Sequence, residues 1–264
     1  MKTYSNKWRE STRNKEFILG GHIFLPNPSM AEAMAYFGYK YLWVDAEHCA
    51  FDREEILNHI VAINSANAGA FVRVTSNEPA TVKPILEMGP DGIIFPMVCS
   101  ATEAEKAIAG CMYPPRGIRG FGPKRANHYD FIDNEEYFST VEDSFVRIIQ
   151  IEHKDAVANI DEILEVNGID SVVIGPNDLS GSMGLIGQKN HPDVLKMCEL
   201  VVEKCKEHKI PCGPSIGPFD KDYIKYWIDR KIDFLFCGDD ISLVRKGMEA
   251  TFKIINELSN GQIS

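Results

Sequence analysis

Acidic and imidazole side chains follow directly after a buried-looking apolar stretch near the start of the chain. The stretch begins at Tyr41 and ends in Asp45, Glu47 and His48. A strand that ends in such residues carries a proton-handling group to the edge of a sheet. An isolated histidine is more often a satisfied core residue, but here a neighbouring carboxylate can orient the ring and raise its basicity. His48 is therefore a candidate general base.

Three further apolar runs carry polar side chains at or near their ends. These side chains are Arg73 in the next run, Gln150 and Glu152 in a later one, and Asn177 and Asp178 in the one after it. If the runs are parallel strands of one sheet, their carboxyl ends meet at one edge. The sequence thus predicts a single polar pocket that collects these side chains.

Glu152 and Asp178 form a candidate metal site. Two hard carboxylates with vacant positions around them suit an octahedral divalent cation such as Mg²⁺ or Mn²⁺. Each of them can instead be an N-terminal helix cap, since each begins a loop that leads into a helix. Gln150 lies two residues before Glu152 and therefore on the same strand face, which favours the metal interpretation.

Arg73 fits a site that handles negative charge. It can form a structural ion pair, but a buried arginine at a barrel mouth is costly unless it meets an anion such as an enolate or a carboxylate. Schiff-base aldolases place a lysine on a barrel strand, and none of the last four predicted strands contains lysine. This pattern favours metal-assisted chemistry over covalent carbonyl chemistry. His22, on the first strand, is interpreted equally well as pocket wall or as core.

The elements that position these residues alternate regularly between strand and helix. Short apolar runs predict strands, which alternate with amphipathic segments and Gly/Pro punctuation. The predicted strands are 17–25, 40–46, 70–75, 92–98, 145–152, 170–175, 210–216 and 232–237. The predicted helices are 28–37, 53–66, 79–88, 101–109, 155–166, 191–208, 220–230 and 241–258. Two of these helices begin with the spacing of a capping box, Asp52 with Glu55 and Ser100 with Glu103.

Strict alternation predicts parallel pairing, with helices covering the sheet. The count of eight units and the length of 264 residues match one closed (β/α)8 barrel of the TIM type. The alternative, an open doubly wound sheet, would need a Gly-x-Gly-x-x-Gly turn after the first strand, and Gly20-Gly21 lies inside a strand pattern without one. We expect a single α/β domain over 1–264.

One connection is unusually long. The segment 111–143 is rich in Gly and Pro and contains the cations Arg116, Arg119, Lys124 and Arg125 in an otherwise acidic protein. Long structured loops in compact domains commonly serve function.

Overall charge and composition restrict the kinds of partner that the protein can bind. A formal net charge of -10 and the lack of a Lys/Arg run disfavour a nucleic-acid partner. The N-terminal sequence has no apolar core of a signal peptide, and no apolar run approaches the roughly 18 residues of a membrane helix. We therefore expect a cytoplasmic protein with no membrane partner.

Several ordered motifs are similar to those of the HpcH/HpaI aldolase family. They are Trp43-Val-Asp-Ala-Glu-His48, Phe95-Pro-Met-Val98 with Tyr113-Pro-Pro-Arg-Gly-Ile-Arg-Gly120, Gln150-Ile-Glu152 and Ile174-Gly-Pro-Asn-Asp-Leu-Ser180. The resemblance extends from about residue 18 to the final helix. It implies a (β/α)8 barrel that assembles as a hexamer, a trimer of dimers that exchange the C-terminal helix.

The resemblance also implies an activity. Such proteins are class II aldolases, carbon–carbon lyases that use Mg²⁺, Mn²⁺ or Co²⁺ to cleave a 2-oxo-4-hydroxy acid to pyruvate and an aldehyde. By motif position, Glu152 and Asp178 are implied as the metal ligands, His48 as the base and Arg73 as the stabilising cation. The implied pyruvate-binding residues are Gln150, Gly175, Pro176, Asn177 and Asp178.

The acid that supports the family's histidine corresponds by position to Glu87, and Asp45 is the local candidate for the same role. The chain departs from the family where it has His22 in place of a frequent tryptophan, in Cys212-Gly-Pro-Ser-Ile-Gly217, and at Lys124 and Arg125. The metal and base positions are kept while the aldehyde pocket is altered.

Two rival functions stay open. The first keeps the enolate but breaks or forms a different bond, as in oxaloacetate decarboxylation or condensation of the macrophomate synthase kind. The second is a barrel that binds a small anion and turns nothing over.

Overall fold

The computed structural model describes residues 3–259. Eight strands pair in parallel, each with the next in the chain, and the last pairs with the first to close a barrel. The strands are β1 (Ile18–Ile23), β2 (Tyr41–Asp45), β3 (Gly69–Arg73), β4 (Gly92–Phe95), β5 (Val146–Ile151), β6 (Ser171–Ile174), β7 (Cys212–Ile216) and β8 (Phe234–Asp239). The predicted (β/α)8 barrel is confirmed.

The described residues form twelve α-helices. They are α1 (Tyr4–Arg13), α2 (Pro28–Tyr36), α3 (Arg53–Ser65), α4 (Pro79–Glu87), α5 (Ala101–Cys111), α6 (Asn134–Thr140), α7 (Lys154–Ala158), α8 (Ile160–Leu164), α9 (Pro176–Ser182), α10 (Pro192–His208), α11 (Lys221–Asp229) and α12 (Asp240–Leu258). All eight predicted helical segments are helical. The segment 155–166, expected as one helix, is broken at Asn159 into α7 and α8, and α1, α6 and α9 were not predicted. None of the helices within 3–259 is both long and apolar enough to span a lipid bilayer.

The predicted helix starts have a local chemical cause. Asp52 accepts a hydrogen bond from the Glu55 amide at 2.8 Å, and the Glu55 carboxylate accepts one from the Asp52 amide at 2.8 Å. This reciprocal pair is a complete capping box. At α5 the Ser100 hydroxyl caps the Glu103 amide, but the Glu103 carboxylate reaches the amide of Cys99 instead of that of Ser100. The second capping box is therefore incomplete, because its glutamate caps the residue before the N-cap instead of the N-cap itself.

Large aromatic side chains fill the inside of the barrel. Helix α1 closes the lower end, which is the end where the strands begin. The Trp8 ring lies 4.9 Å from the rings of Tyr41 and Phe234, and its indole N–H donates to the Ser171 hydroxyl at 3.0 Å. Close packing leaves no space for a side chain at Gly213, where a Cβ would lie 1.8 Å from the carbonyl oxygen of Phe234. The filled bottom leaves only the opposite end, at the carboxyl ends of the strands, for a ligand.

The cations of the long connection hold that segment against the rest of the protein. Arg116 pairs with Glu142, Arg119 with Glu87, and Arg125 donates to the carbonyl groups of Met88 and Gly89. None of these arginines lines the cavity at the carboxyl ends of the strands. Within the described chain each of these three cations thus has a partner in the same chain and lies outside that cavity.

Candidate active site

A cavity of about 550 Å³ opens at the carboxyl ends of the strands. It collects His48, Arg73, Gln150, Asn177 and Asp178, as predicted, together with side chains from β1 and β7, but Glu152 is not among its lining residues. Its lining residues are His22, Phe24, Pro26, Trp43, Asp45, His48, Cys49, Ala50, Phe51, Arg73, Gln150, Gly175, Pro176, Asn177, Asp178, Ser215 and Ile241.

Arg73 is held in this cavity by two carboxylates. The strand register places Asp45 directly beside it, and its Nε lies 3.0 Å from Asp45 Oδ1 while its Nη2 contacts the other carboxylate oxygen. Its Nη1 lies 2.9 Å from Glu47 Oε2. Its guanidinium also lies 5.0 Å from the ring centroid of Trp43. A buried arginine with two carboxylate partners is fixed in place by charge-assisted hydrogen bonds.

His48 stands at the mouth of the cavity with its side chain 62 % exposed. It is not a core residue. Its backbone N–H donates to Asp45 Oδ1 at 3.2 Å, and its Nε2 lies 3.8 Å from Glu47 Oε2. Asp45 therefore fixes the backbone of His48, whereas its carboxylate binds Arg73 and does not contact the imidazole ring. Among the described residues, Glu47 is the acid nearest to the ring.

Glu152 is deeply buried just beyond β5. One carboxylate oxygen accepts the backbone N–H of Met97 at 2.8 Å, and the other contacts the amide nitrogen of Gln150. Met97 directs its N–H there from a left-handed backbone conformation, with φ of 53°. Burial raises the pKa of Glu152, the Met97 hydrogen bond opposes that rise, and the Asp178 carboxylate adds to it. Deprotonated Glu152 is thus costly unless positive charge is near.

The helix-cap interpretation of the two carboxylates is wrong. The cap of α7 is His153, not Glu152, and Asp178 lies inside the first turn of α9 and makes no capping bond. Asp178 is exposed to the cavity and, within residues 3–259, its side chain has no hydrogen bond or ion pair. It is free to bind a ligand.

A divalent cation fits this pair. Glu152 and Asp178 are hard oxygen donors whose mutual repulsion a cation would offset. The carbonyl oxygen of the Gln150 side chain is buried with no hydrogen-bond partner in the described chain. Gly175 keeps the space beside Glu152 open, since a Cβ there would lie 2.8 Å from Glu152 Oε2. No cluster of three or more His, Cys, Asp or Glu within 3–259 is arranged as a metal site.

Glu87 lies outside the cavity lining. It ends α4, and its carboxylate lies 3.1 Å from Nη2 of Arg119. Within this chain it contacts Arg119 and not His48.

Met97 and Ser215 contribute to the site without a clear signal in the sequence. Met97 has no sequence signal for its left-handed backbone. Ser215 belongs to the unusual seventh strand, lines the cavity, and has its hydroxyl oxygen 2.8 Å from Nε2 of His22. His22, which the sequence left between wall and core, is buried and also lines the cavity.

The chain is similar in sequence to proteins of a known family. The sequence model of the HpcH/HpaI aldolase/citrate lyase family matches residues 21–214. The chain is 30% identical to 5-keto-4-deoxy-D-glucarate aldolase of Enterobacter sp. (strain 638) over 93% of this chain and 95% of that protein.

Solved structures show the same fold. A HpcH/HpaI aldolase from Desulfitobacterium hafniense DCB-2 superimposes with a TM-score of 0.87 at 28% identity, covering 94% of this chain and 96% of that one. The citrate lyase beta subunit from M. tuberculosis, determined with oxaloacetate and magnesium, superimposes with a TM-score of 0.55 at 13% identity, over 87% of this chain and 94% of that one. The second likeness concerns the fold alone.

Proposed function

Because the chain belongs to the HpcH/HpaI aldolase/citrate lyase family, and is therefore a carbon–carbon lyase, we propose that it is a metal-dependent class II aldolase. Its reaction is the cleavage of a 2-oxo-4-hydroxy acid to pyruvate and an aldehyde. One observation supports this proposal: Arg73, held by two carboxylates, and the Asp178 carboxylate line the same cavity. Glu152 lies next to Gly175, which is also part of that lining.

The candidate ligands of the cation are Glu152 and Asp178. When bound, a divalent cation supplies a Lewis acid that polarises the 2-oxo group and lowers the energy of an enolate. The raised pKa of Glu152 fits this role, since a carboxyl that is costly to ionise alone is ionised readily beside a dication.

Arg73 provides the fixed positive charge for the developing enolate. Electrons from the broken C3–C4 bond arrive at the 2-oxo oxygen, where an oriented guanidinium stabilises the transition state more than the neutral ketone. Asp45 and Glu47 prevent the arginine from turning away, so no reorganisation is needed during the reaction. Their role is positioning.

His48 is the candidate base. Its ring is exposed at the cavity mouth, where it can take the proton of the substrate's 4-hydroxyl group directly or through water. As that proton leaves, the hydroxyl carbon becomes the aldehyde carbon and the C3–C4 bond breaks. Protonation of the enolate at C3 then gives pyruvate. The lining residues from Gly175 to Asp178, with Gln150, are the candidates for holding the pyruvate portion.

The size of the cavity supports a substrate larger than pyruvate. About 550 Å³ falls within the range of pockets that hold drug-sized ligands, so an aldehyde portion fits beside the three-carbon unit. The relative named above acts on 5-keto-4-deoxy-D-glucarate, which makes sugar-derived oxo acids the first compounds to test.

The proposed assembly is a homo-oligomer in which dimers exchange α12. The helix contacts β8 and α2 of its own chain, but only Asp240 of its residues is buried. A helix with so little burial gains stability from a second subunit.

The direct test offers pyruvate with a panel of aldehydes in the presence of Mg²⁺, Mn²⁺ or Co²⁺, before and after chelation by EDTA. The expected result is metal-dependent formation of a 2-oxo-4-hydroxy acid and its reversal to pyruvate. Glu152→Gln is expected to remove the metal response, whereas Glu162→Gln on α8 should keep it. Full activity after chelation would refute the proposal, and selective consumption of oxaloacetate would favour decarboxylation instead.

A further inference from the structure

A polar pair, buried His22 and half-buried Ser215, lines the cavity on the side of β7, β8 and β1. Nδ1 of His22 lies 3.0 Å from the carbonyl oxygen of Gly238, and its Nε2 lies 2.8 Å from the hydroxyl oxygen of Ser215. The His22 ring also lies 5.7 Å from that of Phe24 and 5.9 Å from that of Phe236. Both nitrogens are therefore occupied inside a largely aromatic environment.

The proton positions in this pair are fixed by its partners. Burial lowers the pKa of His22 to about 4, so the ring is neutral and carries one N–H. A carbonyl oxygen can only accept, so that hydrogen lies on Nδ1 and points at Gly238. Nε2 then has no hydrogen, so it accepts a hydrogen bond from the Ser215 hydroxyl. The hydroxyl oxygen of Ser215 consequently offers the cavity lone pairs and no hydrogen.

The pair is close to the reacting end of the cavity. The His22 ring lies 5.2 Å from the ring of Trp43, and the Arg73 guanidinium lies 5.0 Å from the same indole. One aromatic ring thus separates the pair from the cation that stabilises the enolate. A substrate whose oxo-acid portion meets Arg73 extends its remaining atoms within reach of this wall.

The charge of the lining disfavours a second carboxylate on the substrate. Among the described residues that line the cavity, Arg73 is the one Lys or Arg side chain, and Asp45 and Glu47 already pair with it. A carboxylate at the distal end of the substrate would therefore meet no second Lys or Arg among the described lining residues, and it would face a serine hydroxyl that can only accept.

Resting on the proposed function, we propose that His22 and Ser215 select the aldehyde portion: it carries a hydroxyl group, which donates to Ser215, and no carboxylate. Ser215 is the specificity-determining residue, and His22 is a positioning residue that fixes the direction of the serine hydroxyl. The substrate class is accordingly the 2-oxo-4-hydroxy acid whose aldehyde portion is neutral and carries a hydroxyl group.

The test uses three small aldehydes as acceptors with pyruvate and Mn²⁺. Glycolaldehyde carries a hydroxyl group, propanal has a methyl group in its place, and glyoxylate carries a carboxylate. In each reaction C3 of pyruvate bonds to the aldehyde carbon, one methyl proton of pyruvate leaves, and the new 4-hydroxyl gains one. For the wild type, kcat/KM is expected to be roughly tenfold higher with glycolaldehyde than with propanal, the effect of one hydrogen bond, and lowest with glyoxylate.

Two variants separate the roles of the pair. Ser215→Ala removes the acceptor, so the ratio of kcat/KM for glycolaldehyde over propanal should fall to near unity, mainly through KM. His22→Phe keeps the serine but frees its hydrogen to donate, so glyoxylate should gain several-fold relative to glycolaldehyde. Ser139→Ala, on exposed α6, is the matched control and should leave all ratios at wild-type values. Circular dichroism checks that each variant is folded.

Exchange of the pyruvate methyl protons into D₂O, without aldehyde, reports enolate formation independently of the acceptor. No metal-dependent exchange in the wild type would overturn the proposed function and this inference with it. Exchange combined with equal use of glycolaldehyde and propanal, or with a preference for glyoxylate, would overturn the inference alone. Ratios that do not move in Ser215→Ala and His22→Phe would do the same.

Discussion

At the scale of single residues, the pairing of Arg73 with two acids makes the guanidinium shape important as well as its charge. Three of its nitrogens contact Asp45 and Glu47, and a lysine ammonium cannot reproduce that planar fork. Arg73→Ala is expected to lower kcat/KM for retro-aldol cleavage by roughly 10²- to 10³-fold. Arg73→Lys should recover little of that loss. Steady-state rates of pyruvate release measure both.

The control for this prediction is Arg53→Lys at an exposed position of α3, which should keep the wild-type rate. Near-wild-type cleavage by Arg73→Lys would show that only a positive charge is required. Wild-type cleavage by Arg73→Ala would remove the arginine from the mechanism.

His22 should give the folded protein a specific dependence on pH. Burial lowers its pKa to about 4, whereas in the unfolded chain the value is about 6.5. Between these values the unfolded chain binds a proton at this histidine and the folded chain does not, so the free energy of unfolding falls as the pH falls. The contribution is on the order of 3 kcal/mol at pH 4 relative to neutral pH.

Urea denaturation of the wild type and of His22→Phe at a series of pH values measures this effect. The difference between their free energies of unfolding should change by that amount from pH 7 to pH 4. His208→Phe, at a partly exposed histidine on α10, should not reproduce the change. Parallel pH curves for the wild type and His22→Phe would show that His22 titrates normally.

At the scale of elements, the sequence predicted the barrel well because buried parallel strands are short apolar runs with clear boundaries. It failed for α1 because that helix is mostly polar. Only Ser5, Trp8 and Thr12 of α1 are buried, so its position depends on tertiary contacts that no local pattern shows. The break at Asn159 likewise interrupts a continuous helical pattern.

The sequence predicted which residues gather at the candidate site, but it did not predict which of them contact one another. Strand ends gathered His48, Arg73, Asp178 and Gln150 as expected, since parallel strands end together. The partner of Asp45 was not predictable, because the register that places it beside Arg73 is a property of the closed sheet. For the same reason the acid nearest the His48 ring is Glu47, the next acidic residue along the chain.

Helix α1 should contribute strongly to stability through one side chain. Trp8 is 1% exposed and fills the lower end of the barrel. Trp8→Ala is expected to reduce the free energy of unfolding by about 3–5 kcal/mol, because it leaves a cavity and removes the donor to Ser171. Chemical denaturation measures the loss.

Lys7→Ala, at the exposed neighbouring position, serves as the control and should change stability by less than about 0.5 kcal/mol. A loss below about 1 kcal/mol for Trp8→Ala would mean that the end of the barrel closes without α1. The cavity at the opposite end should keep its metal response in either case, since α1 lies at the lower end.

At the scale of the whole molecule, the long connection shows where reasoning from charge alone fails. Its cations suggested function in an acidic protein, yet Arg116, Arg119 and Arg125 bind acids and carbonyl groups of the same chain. A cation in a sequence has no visible partner until the fold brings distant acids to it. The net charge of -10 is therefore a property of the whole protein and does not predict the role of an individual arginine.

The apolar face of α12 should determine the assembly state. Ile241, Val244, Met248, Phe252 and Ile255 recur every three or four residues, and each is between 37% and 59% exposed. Such a stripe on one helix predicts burial against another subunit. Replacing Met248 and Phe252 together by Glu would place charge in that interface, and the dissociation constant of the oligomer should rise by roughly 10²-fold or more.

Light scattering coupled to size-exclusion chromatography measures the molar mass over a range of protein concentrations. The double variant should dissociate at concentrations where the wild type remains assembled. The control is Ile228→Glu on α11, a residue 49% exposed but outside the stripe, which should keep the wild-type mass because an exposed charge on a free surface is not desolvated. If the double variant keeps that mass as well, the stripe is not an interface and the exchange of α12 between subunits is excluded.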